Sequence, residues 1–292
     1  MVSTLVVRPL GRTGLRVSPL GLASVSLTSG VSRRAPAPMD AGAVERAFHE
    51  HGINTFLVHY LMRGICAGVR RLIRAGYRDE LVLVSEVGLP FSGSVRRGLK
   101  LHLRLLGIEY LDVWLLGWVR SPWYVREAVW TELSRLRQAG ATRCIGLSSH
   151  DRLLAARLAA DLDPDVLMIR YNAAHRGAER EVFPLLEALP GGRPGVIAYT
   201  ATRWRMLLQP LPDHGFPRAM SGPECYRFVL GHPAVDTVWC AAGDEDELRH
   251  DVAGVLQGPL HPQRMEEVRR FGDAVHASAR GGRRWMFGST AD

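Results

Sequence analysis

The chain has 292 residues, is 47% hydrophobic and 23% charged, and contains no low-complexity tract, which suits one globular domain, 1–292, and excludes a disordered or fibrous chain. Its net charge of +8 rests almost wholly on arginine, with Lys100 the one lysine among 37 basic residues, and such a bias is what a GC-rich bacterial genome produces rather than a nucleic-acid surface. No run approaches the ~18 uninterrupted apolar residues of a membrane span, and the opening MVSTLVVRPLGRTGLRV lacks a basic segment followed by an apolar one, so no membrane partner and a cytoplasmic location are expected.

In chain order, a hairpin is predicted around Gly11-Arg12-Thr13-Gly14, followed by eight short apolar runs at 20–27, 53–58, 81–87, 111–118, 143–147, 166–171, 195–199 and 237–240. Helix-period stretches fill the gaps at 41–51, 67–75, 94–106, 124–138, 151–161, 178–189, 222–230 and 244–255. Asp40 stands where an N-cap belongs, and Gly52, Gly76, Gly107 and Gly140 stand where helices stop. A ninth helix, 262–277, opens on Pro262 and packs outside. Strands alternating with crossover helices predict a (β/α)8 TIM barrel, in which chemistry gathers at the carboxyl ends of the strands. Basic pairs such as Arg33-Arg34, Arg70-Arg71 and Arg283-Arg284 are short and scattered. Cys66, Cys144, Cys225 and Cys240 lack metal or disulfide spacing and are expected to be inert buried thiols. Lys100 lies within a helical stretch, which leaves lysine Schiff-base chemistry without a candidate.

Several motifs, in order and at matching spacing, resemble the aldo-keto reductase family through most of the chain: PLGRTGLRVSPLGLAS, AFHEHGINTF, LLGIEYLDVWLL, LRQAGATRCIGLSSHD, MIRYNAAHRGAE and GVIAYTATRWRMLL. The resemblance implies hydride transfer between a nicotinamide cofactor, usually NADPH, and a carbonyl, run by an Asp, a Tyr, a Lys and a His. Position by position, the family's GINxFDTAxxYG falls on GINTFLVHYLMRG, so Leu57 stands at the Asp and Met62 at the Tyr. The TKxG of the third strand falls on Ser85-Glu86-Val87-Gly88 and the LLHW of the fourth on Leu115-Leu116-Gly117-Trp118, which puts Glu86 at the Lys and Gly117 at the His. None of the four can do the replaced job.

The cofactor positions implied by the resemblance are half kept. Ser148, Tyr199, Thr200 and Thr202 remain, whereas Ser149, Met168 and Asp251 replace an Asn, a Gln and an Asn. The acidic run from Asp244 to Glu247 would repel a 2′-phosphate. NADH or NADPH binding is therefore weakened, and no metal is expected without a HxH-type spacing.

Other strand-end residues each carry two readings. Glu86 is a general base or the structural partner of an arginine such as Arg170. His59 and Tyr60 are proton donors or loop packing. His150, Asn172 and His175 contact a ligand or are ordinary loop residues, and Trp118, Trp123 and Trp204 wall a pocket or pack outward. Arg203 and Arg205 hold an anionic group or face solvent. Three functions follow: non-redox acid–base chemistry on a small organic substrate using Glu86 with His59 or Tyr60; a divergent carbonyl oxidoreductase using Tyr60 or His59 as acid; and a non-catalytic ligand-binding or regulatory pseudoenzyme. Oligomeric state is not legible in the sequence.

Overall fold

The computed structural model describes residues 4–24 and 40–281. A short antiparallel hairpin, β1 (Arg8–Pro9) with β2 (Arg16–Val17), precedes the barrel. Eight parallel strands then close on themselves: β3 (Leu20–Leu22), β4 (Thr55–Leu57), β5 (Val82–Val87), β6 (Leu111–Val119), β7 (Thr142–Ser149), β8 (Val166–Arg170), β9 (Gly195–Tyr199) and β10 (Thr237–Cys240), with β10 pairing back to β3. All eight predicted runs are strands; the part of the first at 25–27, like Arg33-Arg34 and Arg283-Arg284, lies outside the described residues.

Local signals explain the crossovers. Helix α1 (Ala41–His49) begins where the Asp40 side chain accepts the Ala43 N–H, and α3 (Ser92–Leu106) ends at Gly107 in the left-handed conformation. Between them α2 (Arg63–Arg74) starts four residues before the predicted 67. Two expected helices are broken. The stretch from 124 opens as a tight turn, Pro122–Val125, and only then becomes α4 (Glu127–Gln138). The stretch 178–189 divides at Val182 into α6 (Ala178–Glu181) and α7 (Phe183–Glu187), because Pro184 has no N–H to continue the first ladder. After α5 (Arg152–Leu162), the later helices α8 (Gly222–Leu230), α9 (Glu245–Val255) and α10 (Pro262–Gly281) lie close to their expected bounds.

Every second strand begins with an acid or amide that ties it to the strand before. Asn54 Oδ1 accepts the Ser18 N–H at 2.8 Å, Asp112 Oδ2 that of Leu83 at 2.9 Å, Asp165 Oδ2 that of Ile145 at 2.8 Å, and Asp236 Oδ2 that of Val196 at 2.8 Å. The three carboxylates are also paired with cations: Asp112 with Arg78 and Arg143, Asp165 with Arg137, and Asp236 with both Nη atoms of Arg193. Buried charge at this end of the barrel is thus matched by hydrogen bonds and counter-ions. All four cysteines are free and buried. Among the described residues no helix is long and apolar enough to cross a membrane.

Candidate active site

At the other end of the barrel, β5 delivers Glu86 beside an irregularity in β6. The pairing of β6 with β7 shifts register between Leu116 and Val119, and Trp118 takes a left-handed φ of 54°. A Cβ added at Gly117 would stand 2.8 Å from Glu86 Oε2, so the carboxylate fills the volume a side chain at 117 would need. Trp118 donates its backbone N–H to Ser148 Oγ at 2.9 Å, and that hydroxyl donates to Glu86 Oε2 at 3.0 Å. Glu86 is only 7% exposed, and among the described residues no cation faces it. Burial pushes its carboxyl up to about 7, against a smaller opposing pull from the Ser148 hydrogen bond. The pairing with Arg170 weighed from the sequence does not form.

Glu86 opens onto a cavity of about 260 Å³ lined by His59, Tyr60, Leu61, Gly88, Leu89 and Trp118. The rings of His59 and Tyr60 lie 4.1 Å apart, and Tyr60 is half-exposed. His59 Nδ1 accepts the Leu61 N–H at 3.3 Å, which leaves the proton on Nε2. Desolvation, with His102 adding to it, pulls the His59 imidazole down to about 4. A neutral imidazole is the poorer acid, so the His59 alternative loses to Tyr60 on electrostatic grounds. Leu57 and Met62, 6% and 1% exposed, belong to the core.

His102 escaped the sequence reading. Its ring lies 5.6 Å from His59, 6.1 Å from Tyr60 and 5.4 Å from Trp114. Its Nδ1 meets the Gly98 carbonyl at 2.7 Å, and its Nε2 is buried without a partner. The signal was available: Val95, Leu99, His102 and Leu106 share the buried face of α3.

The remaining candidates fall on the β7–β9 side of the mouth. Tyr199 donates its hydroxyl to the Ser149 carbonyl at 2.8 Å, and its ring stands edge-on to His150 at 5.1 Å. Arg170 is the register partner of Tyr199. Asn172, fully buried, donates to the Thr200 carbonyl at 2.8 Å and accepts from Ala174 at 3.0 Å, which makes it a turn-holder rather than a ligand contact. His175 packs edge-on to His276 at 5.2 Å with Nδ1 3.3 Å from Asn172 Oδ1. Thr200 Oγ1 donates to the Tyr199 carbonyl, and Thr202 Oγ1 accepts from the Arg205 N–H. Trp204 points outward, 55% exposed, as does Trp123, which packs on Phe91 and Arg126. His59 and Glu86 therefore part from His150 and His175, and among the described residues no three His, Cys, Asp or Glu side chains gather as metal ligands.

The side chains at the family's nicotinamide positions do not fit that group. Ser149 Oγ is spent on the Val119 and Asp151 carbonyls, Ser148 on Glu86, and Met168 Sδ on the Trp239 Nε1–H at 3.0 Å. The acidic run needs a correction. Asp244 is the N-cap of α9, Glu245 is held by both Nε and Nη2 of Arg46, Asp246 pairs with Arg249, and Glu247 pairs with Arg205. Its negative field is largely neutralised, so repulsion of a 2′-phosphate no longer follows from it. Asp251 is buried, with Oδ1 unpartnered and its carboxyl raised to about 7 by desolvation. A larger cavity of about 440 Å³ lies at the hairpin end, lined by Arg8, Arg12, Arg193 and Asp236; it faces the amino ends of the strands, where chemistry does not gather in this fold.

The aldo/keto reductase family model matches residues 69–205. A curated relative from Citrus sinensis, (1S)-1,7-diacetoxy-luvungin A aldo-keto reductase, is 33% identical over 116 residues, which is 32% of this chain and 36% of that protein. The match thus spans about a third of that relative's length. Among solved structures, the holo form of aldo-keto reductase AKR11C1 from Bacillus halodurans superposes with a TM-score of 0.71 at 20% identity, covering 91% of this chain and 96% of that one. The thermostable aldo-keto reductase Tm1743 in complex with the inhibitor epalrestat gives 0.66 at 21%, covering 91% and 100%. At these identities the structures speak for the fold.

Proposed function

We propose that this chain is a repurposed member of the aldo-keto reductase family, whose model matches residues 69–205, and that it moves protons within a small organic substrate instead of transferring hydride. The observation that carries this reading is Glu86: a carboxylate buried at the active end of the barrel, packed where Gly117 leaves room, without a counter-ion among the described residues, and opening onto the cavity that holds Tyr60. With its carboxyl raised to about 7, both of its protonation states are populated near neutral pH, as a general base requires.

In this mechanism the Glu86 carboxylate accepts a proton from a carbon next to a carbonyl. The carbonyl oxygen takes a proton from the Tyr60 hydroxyl, and the product is the enol. Glu86 then gives its proton to a different carbon, or to a neighbouring hydroxyl that leaves as water, while the enol O–H proton returns to Tyr60, which completes an isomerisation or a dehydration. No electrons leave the substrate. Ser148 holds the carboxylate, while Leu61, Leu89 and Trp118 keep bulk water from it.

The test measures exchange of carbonyl α-protons into D2O by NMR across a panel of small ketones and keto acids, alongside titration of NADPH and NADH followed by tryptophan fluorescence. Enzyme-dependent exchange that falls about 10²–10⁴-fold in Glu86→Gln is the expected result, the range spanned by a general base. Micromolar nucleotide binding with steady-state oxidation in the presence of a carbonyl would establish the oxidoreductase reading with Tyr60 as acid. Exchange indifferent to Glu86→Gln removes the proposed base, and no enzyme-dependent exchange together with no nucleotide binding leaves the non-catalytic reading.

A further inference from the structure

Among the described residues, two guanidiniums at the mouth have no carboxylate to balance them. Arg203 is 8% exposed, and its Nη1 is buried without a hydrogen-bond partner. It rides on a turn pinned by its own N–H to the Thr200 carbonyl at 2.8 Å, in which Arg203, Trp204 and Arg205 all have positive φ, at 51°, 50° and 66°. Such a conformation is unfavourable for residues with a side chain. Arg170, partly buried at the end of β8, stands beside Tyr199. The neighbouring arginines are neutralised, Arg152 by Glu181 and Arg205 by Glu247. By contrast, Arg203 feels only the like charge of Arg170, and Arg170 feels Arg152 and the neutral Tyr199 phenol. Of the two arginines flanking Trp204, therefore, one faces solvent in an ion pair and the other is buried without one.

We infer that Arg170 and Arg203 form a seat for an oxyanion, the carboxylate or phosphate of the substrate, whose other end reaches Glu86; calling that ligand the substrate rests on the function proposed above, whereas the seat itself does not. Burying a guanidinium with neither partner nor counter-ion is costly, and its planar fork of donors matches an oxyanion. His150 and His175 complete the wall. Burial and the nearby arginine charge hold their imidazoles down to about 4 and about 2, so both are neutral and add donors and acceptors rather than charge. Tyr199, the register partner of Arg170, lies in the field of both Arg170 and Glu86. A small keto acid, its acid group at the arginines and its carbonyl toward Tyr60, has the matching polarity.

Calorimetric titration tests the seat with pyruvate, inorganic phosphate, inorganic pyrophosphate, NADH and, as the neutral control, acetone. Pyruvate and phosphate are expected to bind and acetone to bind at least about tenfold more weakly, since charge-assisted pairs supply the affinity. Arg170→Gln and Arg203→Gln should each weaken both anions about tenfold or more, and Arg203→Lys should keep part of the affinity. Each Gln variant should also raise the melting temperature of the free protein by removing an uncompensated buried charge, an outcome that a purely structural arginine would reverse. Anions binding equally well to the wild type and both Gln variants overturn the seat. So does pyrophosphate or NADH binding at these residues about a hundredfold tighter than pyruvate, which would assign the arginines to a dinucleotide. Glu86→Gln separates the two proposals: anion binding that persists there while proton exchange is unaffected keeps the seat and sinks the base.

Discussion

Where the strands begin, Asp112, Asp165 and Asp236 each accept a backbone N–H and pair with at least one arginine. Where they end, among the described residues, Glu86 is buried without a cation, and Arg170 and Arg203 without an acid. Both ends bury charge, but only the first compensates it. Complete compensation stabilises a fold and leaves nothing for a ligand; incomplete compensation destabilises the free protein and reserves the missing interaction for whatever binds. The opposite signs at the mouth sit on separate strands, Glu86 on β5 and Arg170 at the end of β8, and no ion pair joins them among the described residues.

Breaking the compensated end should have the largest effect on stability. Asp112→Ala strands Arg78, Arg143 and the Leu83 N–H, and about 3–5 kcal/mol should be lost in urea unfolding, as when one partner of a buried pair is removed. The same kind of measurement on Glu86→Gln should show the reverse sign. Because the folded carboxyl is raised, the unfolded chain releases its proton first as pH climbs from about 4.5 to about 7, and the native state loses stability across that window. Up to about 3 kcal/mol of pH-dependent loss should disappear in the variant, which a comparison of unfolding curves at pH 4.5 and 8 will detect.

A smaller intervention is Gly117→Ala. The new methyl meets Glu86 Oε2 at 2.8 Å, so the carboxylate has to move, at about 1–3 kcal/mol in stability and with a fall in proton exchange measured on the same preparation. Smallest of all is Arg205→Ala. Its pair with Glu247 is solvent-exposed, and thermal unfolding should register no more than about 1 kcal/mol, in contrast to its buried neighbour Arg203.

The barrel was legible because eight apolar runs and their glycine stops are local signals. The placing of Glu86 and Gly117 toward the ends of β5 and β6 was legible too, since each lies within or beside an apolar run. Their contact was not, because it joins residues 31 positions apart through a register shift in β6 that no composition rule announces. The acidic run from Asp244 misled for a related reason: its acids are visible in the sequence, but Arg46, the partner of Glu245, lies 199 residues away. His102 was hidden by treating a helix as a spacer between strands. Arg170 was weighed only as a partner for Glu86, and the structure puts it on the other side of the mouth.

The ties at Asn54, Asp112, Asp165 and Asp236 join the strands two by two, β3 with β4, β5 with β6, β7 with β8 and β9 with β10. The barrel is in that sense four staves of two strands; across the seams the same groups serve otherwise, with Asp112 paired to Arg143 of β7 and Asn54 Nδ2 donating to the Glu80 carbonyl ahead of β5. Glu86 and Gly117 sit within one stave, whereas Arg170 and Tyr199 face each other across the seam between two. A ligand that touched both the arginines and Glu86 would therefore bridge one stave to the seam between two others, joining parts of the barrel that the ties at its other end leave separate.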